Sequence, residues 1–178
     1  MISGKIGSGK TFLAENLSKK LNCNSTSFSK YIKFKCNLEN IKIDRHNLQI
    51  LGQDCVENDL ENFVNYITLN NFEKKSDILI IDGLRHLEVL EYIKNRFTNT
   101  IHIHIDIPEN IRIKNIINRD GKYEQANEVS EIENNYNVLK DKANMIIHDC
   151  RNFSQISKEI LDYINNFQQM SFLNSNCL

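Results

Sequence analysis

The chain has 178 residues, a formal net charge of −1, 40% hydrophobic residues and 25% charged residues. This length fits one globular domain, and the composition excludes a membrane-embedded or disordered chain. Balanced charge argues against a general nucleic-acid binder. The N-terminus carries no charged leader, and the five cysteines are odd in number without CxxC spacing. We therefore expect a cytoplasmic protein with reduced thiols and with neither nucleic-acid nor membrane partners.

Apolar residues recur with helical spacing in some segments and form short continuous runs in others. For the first half of the chain they predict a strand at 1–3, helices over 10–21, 45–52 and 56–67, a strand at 25–29, and leave 30–43 ambiguous. For the second half they predict strands at 77–82, 100–107 and 143–148, helices over 87–93, 111–117, 132–142 and 156–164, and a fraying tail over 168–178. Strands that alternate with helices favour βαβ units and a parallel sheet, here in a single domain over 1–167.

Residues 4–11 read Gly-Lys-Ile-Gly-Ser-Gly-Lys-Thr, which fits G-x-x-x-x-G-K-[ST] directly before a predicted helix. In such a loop successive backbone N–H groups point at phosphate oxygens, and glycine permits that close approach. Lys10 is expected to act as a catalytic cation on the β- and γ-phosphates, and the Thr11 hydroxyl to ligate Mg²⁺. The residues expected to cradle the phosphates of ATP are Gly4, Lys5, Ile6, Gly7, Ser8, Gly9, Lys10 and Thr11.

The strand that feeds this loop is unusually short. Only Met1, Ile2 and Ser3 precede Gly4, whereas strands usually have about five or six residues. This strand is normally central in such folds, so a truncated one would leave neighbouring ladder groups unpaired. The sequence leaves two interpretations open: the first strand is a stub, or the true chain begins upstream of Met1.

A second acidic strand, Ile78-Leu79-Ile80-Ile81-Asp82-Gly83, places a carboxylate after four apolar residues. Ligands of open α/β sheets bind at the carboxyl ends of strands, so Asp82 is expected to hold Mg²⁺ rather than form an ordinary Asp-Gly turn. Arg85 and Arg119 are expected to clamp the transferred phosphoryl group, because guanidinium groups bind phosphate oxygens bidentately. A phosphate acceptor would need no general base.

Three further features are judged mainly structural. His102 and His104 share one face of a strand, and a buried role is favoured because no third ligand stands at a supporting spacing. Lys30, Lys33 and Lys35 favour a solvated face over phosphate contact. For Arg112 a surface position is slightly favoured over a place in the phosphate clamp.

Four segments together resemble the P-loop nucleotide kinases, specifically the deoxynucleoside monophosphate kinase and dephospho-CoA kinase-like branch. The first is the loop at 4–11. Segment 44–54 is similar to that branch's "R-x-x-L-Q-x-L-G" helix, and Ile81 to Arg85 with Glu88 is similar to "D-G-x-R-x-x-x-E". Segment 143–149 resembles "A-D-x-x-I-x-N", from which Asn144 and Asp149 depart.

The resemblance implies an α/β P-loop fold of three layers with a parallel five-stranded sheet of order 2-3-1-4-5, and ATP and Mg²⁺ as cofactors. It implies an acceptor-binding region at about 27–60 and a lid at about 119–131, in which no second arginine follows Arg119. Carried over by position, the residues that face the acceptor are Ser29, Arg45, Gln49 and Arg85.

The leading hypothesis is an ATP-dependent phosphotransferase whose acceptor is a small phosphorylated molecule, above all a (deoxy)nucleoside monophosphate. A dephospho-CoA kinase is the alternative enzyme, and its hydroxyl acceptor would require a general base. An ATP-binding regulatory protein or degraded kinase without turnover is the alternative of another class, favoured by the short first strand and the reduced lid. A GTPase is disfavoured because no N-K-x-D motif occurs. Monomer and homodimer both remain open.

Overall fold

A parallel five-stranded sheet lies at the centre of the computed structural model, which describes residues 1–69, 77–122, 132–149 and 152–175. All neighbouring strands pair in parallel. The strands are β1 (Ile2–Gly4), β2 (Asn24–Ser27), β3 (Leu79–Leu84), β4 (Ile103–Ile105) and β5 (Met145–Ile147). Their spatial order is β2-β3-β1-β4-β5, which confirms the predicted order 2-3-1-4-5.

Helices cover both faces of this sheet and complete the predicted three layers. They are α1 (Lys10–Leu21), α2 (Phe28–Leu38), α3 (Arg45–Asn58), α4 (Leu60–Leu69), α5 (Leu87–Arg96), α6 (Glu109–Asp120), α7 (Ile132–Asp141) and α8 (Phe153–Ser175). One core cluster packs α1 and α8 against the sheet and includes Ile2, Leu17 and Ile160. A second cluster packs helices α2, α3, α4, α5 and α7 against β3 and includes Leu84 and Leu139. Within the described ranges, no helix is long and apolar enough to cross a bilayer.

The three residues of β1 are enough to occupy the centre of the sheet. Ile2 opposes Asp82 of β3 on one side and Ile103 of β4 on the other. The backbone N–H of Ile103 donates to the carbonyl of Met1 at 2.9 Å, which continues the ladder one residue before the strand. The unpaired groups expected beside so short a strand are therefore satisfied at this point.

Several predicted boundaries are wrong. The helix predicted to end at Gly52 continues to Asn58, because Leu51, Cys55 and Val56 bury one face and a single interior glycine costs only about 1 kcal/mol. The ambiguous stretch 30–43 contains most of α2. The last helix extends to Ser175, beyond the predicted end near Ile164, since no glycine or proline interrupts it and each added residue gains a backbone hydrogen bond.

The thiols that the structure describes, Cys23, Cys36 and Cys55, are free, as expected, while Cys150 and Cys177 lie outside the described residues. His102 and His104 are buried, as predicted. The Ser3 hydroxyl lies between them, 2.6 Å from His102 Nε2 and 2.8 Å from His104 Nδ1. One hydroxyl can donate to one ring and accept from the other, so Ser3 links β1 to β4 through two neutral imidazoles.

Acidification should destabilise the fold through these histidines. Burial lowers the pKa of His102 to about 3 and that of His104 to about 4, both from 6.5. Between pH 6.5 and 4 the unfolded chain therefore binds more protons than the folded chain, and the free energy of unfolding decreases as the pH falls. Each histidine contributes a slope of up to about 1.4 kcal/mol per pH unit.

Chemical denaturation from pH 7.5 to 4.5 measures that slope. His104→Asn should flatten it, since the amide offers Ser3 a partner but does not titrate. The matched control is His46→Asn at an exposed position, which should leave the slope as in the parent protein. Equal slopes in all three proteins would contradict the assignment.

Candidate active site

A cleft of about 1020 Å³ opens along the carboxyl edge of the sheet. The segment after each of the five strands contributes a residue to the lining of this cleft. In the order β1 to β5 these residues are Ile6, Ser29, Arg85, Ile107 and Asp149. Parallel sheets bind ligands at this edge because the loops and helix N-termini of several βα units meet there. The predicted side chains brought together in this cleft are Lys10, Thr11, Ser29, Arg45, Gln49, Asp82, Arg85 and Arg119.

The phosphate loop has a backbone that requires glycine. Gly4 has φ +142° and Gly7 has φ +81°. A Cβ on Gly4 would lie 2.5 Å from the carbonyl oxygen of Ile105, and one on Gly7 would lie 2.7 Å from both Arg112 O and Ile116 Cγ1. These distances show that β4 and α6 pack directly against the loop and leave no room for a side chain at Gly4 or Gly7.

Helix α6 holds the loop by two hydrogen bonds. Arg112 Nη1 donates to the carbonyl of Ile6 and Asn115 Nδ2 to that of Gly7, each at 2.9 Å. Arg112 is only 1% exposed and pairs with Glu109, so the surface position favoured from the sequence is wrong. The Glu-x-x-Arg spacing was a signal of this pair, but only the tertiary contact reveals that it supports the loop.

Lys10 spans the loop from its other side. Its Nζ donates to the carbonyls of Gly4 and Lys5, at 2.8 Å each. Burial lowers its pKa from 10.5 to about 8; Asp82 opposes the shift, whereas Arg85, Arg119 and Arg112 reinforce it. An anion bound beside Lys10 would favour the charged form of this ammonium.

Thr11 and Asp82 meet where α1 begins and β3 ends. Thr11 Oγ1 donates to Asp82 Oδ2 at 2.7 Å. The other carboxylate oxygen, Oδ1, is buried and has no hydrogen-bond partner among the described residues, and the same holds for Ser8 Oγ. Buried oxygens of this kind normally have partners. A hydroxyl and a carboxylate are ligands that Mg²⁺ accepts, so this pair fits a Mg²⁺ ion bound beside the loop.

Helix α3 contributes polar side chains to the lining of the cleft. Asp44 caps it by accepting from the backbone N–H of Asn47 at 3.0 Å, as the sequence predicted. Arg45 and Gln49 follow at a spacing of four residues and therefore share one face. Ser29, at the start of α2, lies 3.0 Å from Ser27 through their hydroxyls. The structure thus brings the predicted acceptor residues to one end of the cleft.

The apolar part of this end was missed in the sequence. Phe28 and Phe63 pack with ring centroids 5.4 Å apart, and both line the cleft. Such residues cannot be told from ordinary core by their periodicity, since they belong to the core cluster as well. The other apolar residues of this wall are Ile32, Leu48 and Val89.

Two of the three lysines are exposed, as favoured from the sequence. These are Lys30 and Lys33, of which Lys33 also lines the cleft, whereas Lys35 is half-buried and lies 3.8 Å from Asp54. Arg119 stands at the end of α6, as expected for the first residue of the lid. Residues 123–131 of the predicted lid lie outside the described residues.

The fold and the cleft together define a P-loop protein with the fold of small-molecule kinases. Similar solved structures include a gluconokinase from Sinorhizobium meliloti 1021, with 9% identity, 98% of this chain and 95% of that chain covered, and a TM-score of 0.58. A shikimate kinase from Acinetobacter baumannii in complex with shikimate has 17% identity, 93% and 91% coverage and a TM-score of 0.58. A shikimate kinase from Bacteroides thetaiotaomicron has 13% identity, 92% and 96% coverage and a TM-score of 0.56.

The chain belongs to the AAA_18 family, described as an AAA domain, whose family model matches residues 1–137. A search of curated proteins gives no match. At such low identities the likeness to solved kinases concerns the fold. The narrower resemblance to nucleoside monophosphate and dephospho-CoA kinases stays a prediction.

Two glycine substitutions test the packing of the loop. Gly7→Ala should lower the free energy of unfolding by several kcal/mol, because the new methyl group meets α6 at 2.7 Å in a left-handed backbone. Gly52→Ala is the matched control, since an added Cβ there has nothing within 4 Å and the residue is helical. Gly52→Ala should raise the free energy of unfolding by about 0.5–1 kcal/mol. Urea denaturation measures both, and equal effects would contradict the close approach at Gly7.

Proposed function

We propose that the protein is an ATP-dependent phosphotransferase whose acceptor is a small phosphorylated molecule, above all a (deoxy)nucleoside monophosphate. The observation that carries the proposal is the meeting of three elements in one cleft. These are the phosphate loop with Lys10, the Thr11–Asp82 pair with its unpartnered oxygen, and the arginines at 45, 85 and 119. A site that offers cations on both sides of a Mg²⁺ position suits the transfer of a phosphoryl group between two anions.

The donor side depends on the loop. Backbone N–H groups of residues 4–11 and the N-terminus of α1 would bind the phosphates of ATP, and Lys10 would contact oxygens of the β- and γ-phosphates. Thr11 and Asp82 would hold Mg²⁺, which when bound neutralises phosphate charge and fixes the geometry of the oxygens. Arg85 and Arg119 would stabilise the charge that develops on the transferred group.

The acceptor side favours a planar, phosphorylated molecule. Arg45 and Arg85 suit a phosphate, and Gln49 offers both a donor and an acceptor for a base edge. The wall formed by Phe28 and Phe63 suits a flat ring. A polyhydroxylated acceptor would instead place hydroxyl groups against this apolar wall without partners, which is unfavourable. This contrast favours a nucleotide over a sugar acid.

The alternative of a hydroxyl acceptor, as in a dephospho-CoA kinase, needs a general base. Asp82 pairs with Thr11, Asp44 caps α3, and Asp120 binds Arg119 through both oxygens. Asp82 and Asp44 are therefore engaged in other contacts, and a phosphate acceptor, already ionised at neutral pH, requires no general base. The alternative of a regulatory ATP-binding protein without turnover is supported by the sequence of the predicted lid, in which no second arginine follows Arg119.

A coupled ADP-release assay tests the proposal. With Mg²⁺ and ATP, we expect ADP production to depend on one or more nucleoside monophosphates in a panel that also contains dephospho-CoA, shikimate and gluconate. Lys10→Ala should lower kcat/KM by about two to three orders of magnitude while the protein stays folded by circular dichroism. Lys19→Ala, exposed on the same helix, should stay within about twofold of the parent protein.

The outcomes separate the hypotheses. Turnover with dephospho-CoA alone would favour the alternative enzyme. If the protein binds ATP but no acceptor increases ADP production, the kinase proposal is contradicted and the regulatory protein is favoured.

Nucleotide binding should take up a proton near pH 8. Lys10 has a pKa of about 8 in the free protein, and an adjacent phosphate favours its charged form, so the complex binds more protons than the free protein above that pH. Affinity for MgATP should therefore fall as the pH rises above 8, by up to about tenfold per unit.

Titration calorimetry at pH 8 in buffers of different ionisation enthalpy measures this uptake. Lys10→Arg is the matched control, because a guanidinium stays protonated throughout and should show no uptake. A binding enthalpy that is independent of the buffer in the parent protein would contradict the role given to Lys10.

A further inference from the structure

Asp120 occupies the phosphate-binding edge of Arg119. Arg119 Nε donates to Asp120 Oδ1 and its Nη2 donates to Oδ2, both at 2.7 Å. This parallel, two-bonded arrangement is the one that guanidinium groups also form with phosphate. The guanidinium of Arg119, which is expected to bind a phosphoryl group, is therefore already paired with the carboxylate of the next residue in the chain.

The charge of a second arginine also acts on this carboxylate. The pKa of Asp120 is lowered first by its hydrogen bonds to Arg119 and also by the charge of Arg45 on α3. All three residues line the cleft.

The contact can be exchanged for a ligand without disrupting the fold. The side chains of Arg119 and Asp120 are 61% and 45% exposed, and Asp120 is the last residue of α6, before Gly121 in a left-handed conformation. Exposed ion pairs add little to stability. Rotation of Asp120 into solvent would free the guanidinium and leave the core unchanged.

We propose that Asp120 is an internal competitor for phosphate, which holds Arg119 until a ligand of higher negative charge displaces it. This inference deepens the proposed function, on which it rests for the identity of the ligand. A carboxylate carries a single negative charge. A monoanion therefore offers the arginines no electrostatic gain over Asp120, whereas a phosphate dianion or a polyphosphate does. Asp120 would in this way make the clamp selective for highly charged phosphates over the abundant monoanions.

Inorganic pyrophosphate and acetate are suitable probes, because neither depends on the identity of the acceptor. We expect Asp120→Asn to bind pyrophosphate about fivefold more tightly than the parent protein, and to gain at least as much affinity for acetate. Asp141→Asn, an exposed position on α7, removes the same charge elsewhere and should change both affinities by less than twofold. Thermal unfolding of each variant confirms that it is folded, and Asp120→Ala repeats the test without an amide.

A double-mutant cycle assigns the effect to the pair. In an Arg119→Gln background the gain from Asp120→Asn should fall below twofold, because the guanidinium that Asp120 holds is gone and only the weaker effect of the Arg45 charge remains. Equal pyrophosphate affinities in Asp120→Asn and Asp141→Asn, or an undiminished gain without Arg119, would overturn the inference. The two proposals can fail separately. If the gain in pyrophosphate affinity depends on Arg119 but the protein transfers phosphate to no acceptor, the role of Asp120 is upheld and the proposed function is contradicted.

Discussion

The hydrogen bond from Thr11 to Asp82 connects the two structural units on which the cleft depends. Thr11 belongs to the first turn of α1, directly after the phosphate loop, and Asp82 to the strand next to β1. Their contact fixes the loop relative to the carboxyl end of β3, so that Arg85, three residues later, faces the same space as Lys10. The second carboxylate oxygen of Asp82 is buried and has no hydrogen-bond partner among the described residues. Under the proposed function, Thr11 and Asp82 would hold Mg²⁺ at this contact between α1 and β3.

Charge is the second organising constraint of this edge of the sheet. Burial lowers the pKa of Lys10, and the charges of Arg85, Arg119 and Arg112 lower it further. The carboxylates nearby offset part of this repulsion, with Asp82 on the loop side and Asp120 on Arg119. An anionic ligand would complete the compensation, because several phosphate oxygens can replace contacts that single carboxylates now make. Under the proposed role of Asp120, phosphate would displace contacts that the free protein makes within the cleft.

Much of this arrangement could be predicted from local patterns. The loop motif, the apolar run that ends in Asp82 and the cap at Asp44 each depend on a few consecutive residues. Boundaries were less predictable, as Gly52 shows, because the burial of one helix face outweighed a local propensity. Arg112 was misjudged for a similar reason, since its burial depends on contact with Ile6, more than 100 residues away in the chain. Phe28 and Phe63 carry no signal that separates a cleft wall from a core.

By itself, the sequence determined the parallel α/β architecture, the phosphate loop and the residue types that gather around it, because each follows from periodicity or from the steric demands of a short motif. Only the tertiary structure decided that β1 pairs with a strand on each side, that α6 supports the loop, and that Asp120 pairs with Arg119. These contacts depend on distances between segments far apart in the chain, or on the rotamers of exposed side chains. Neither leaves a pattern in the order of the residues.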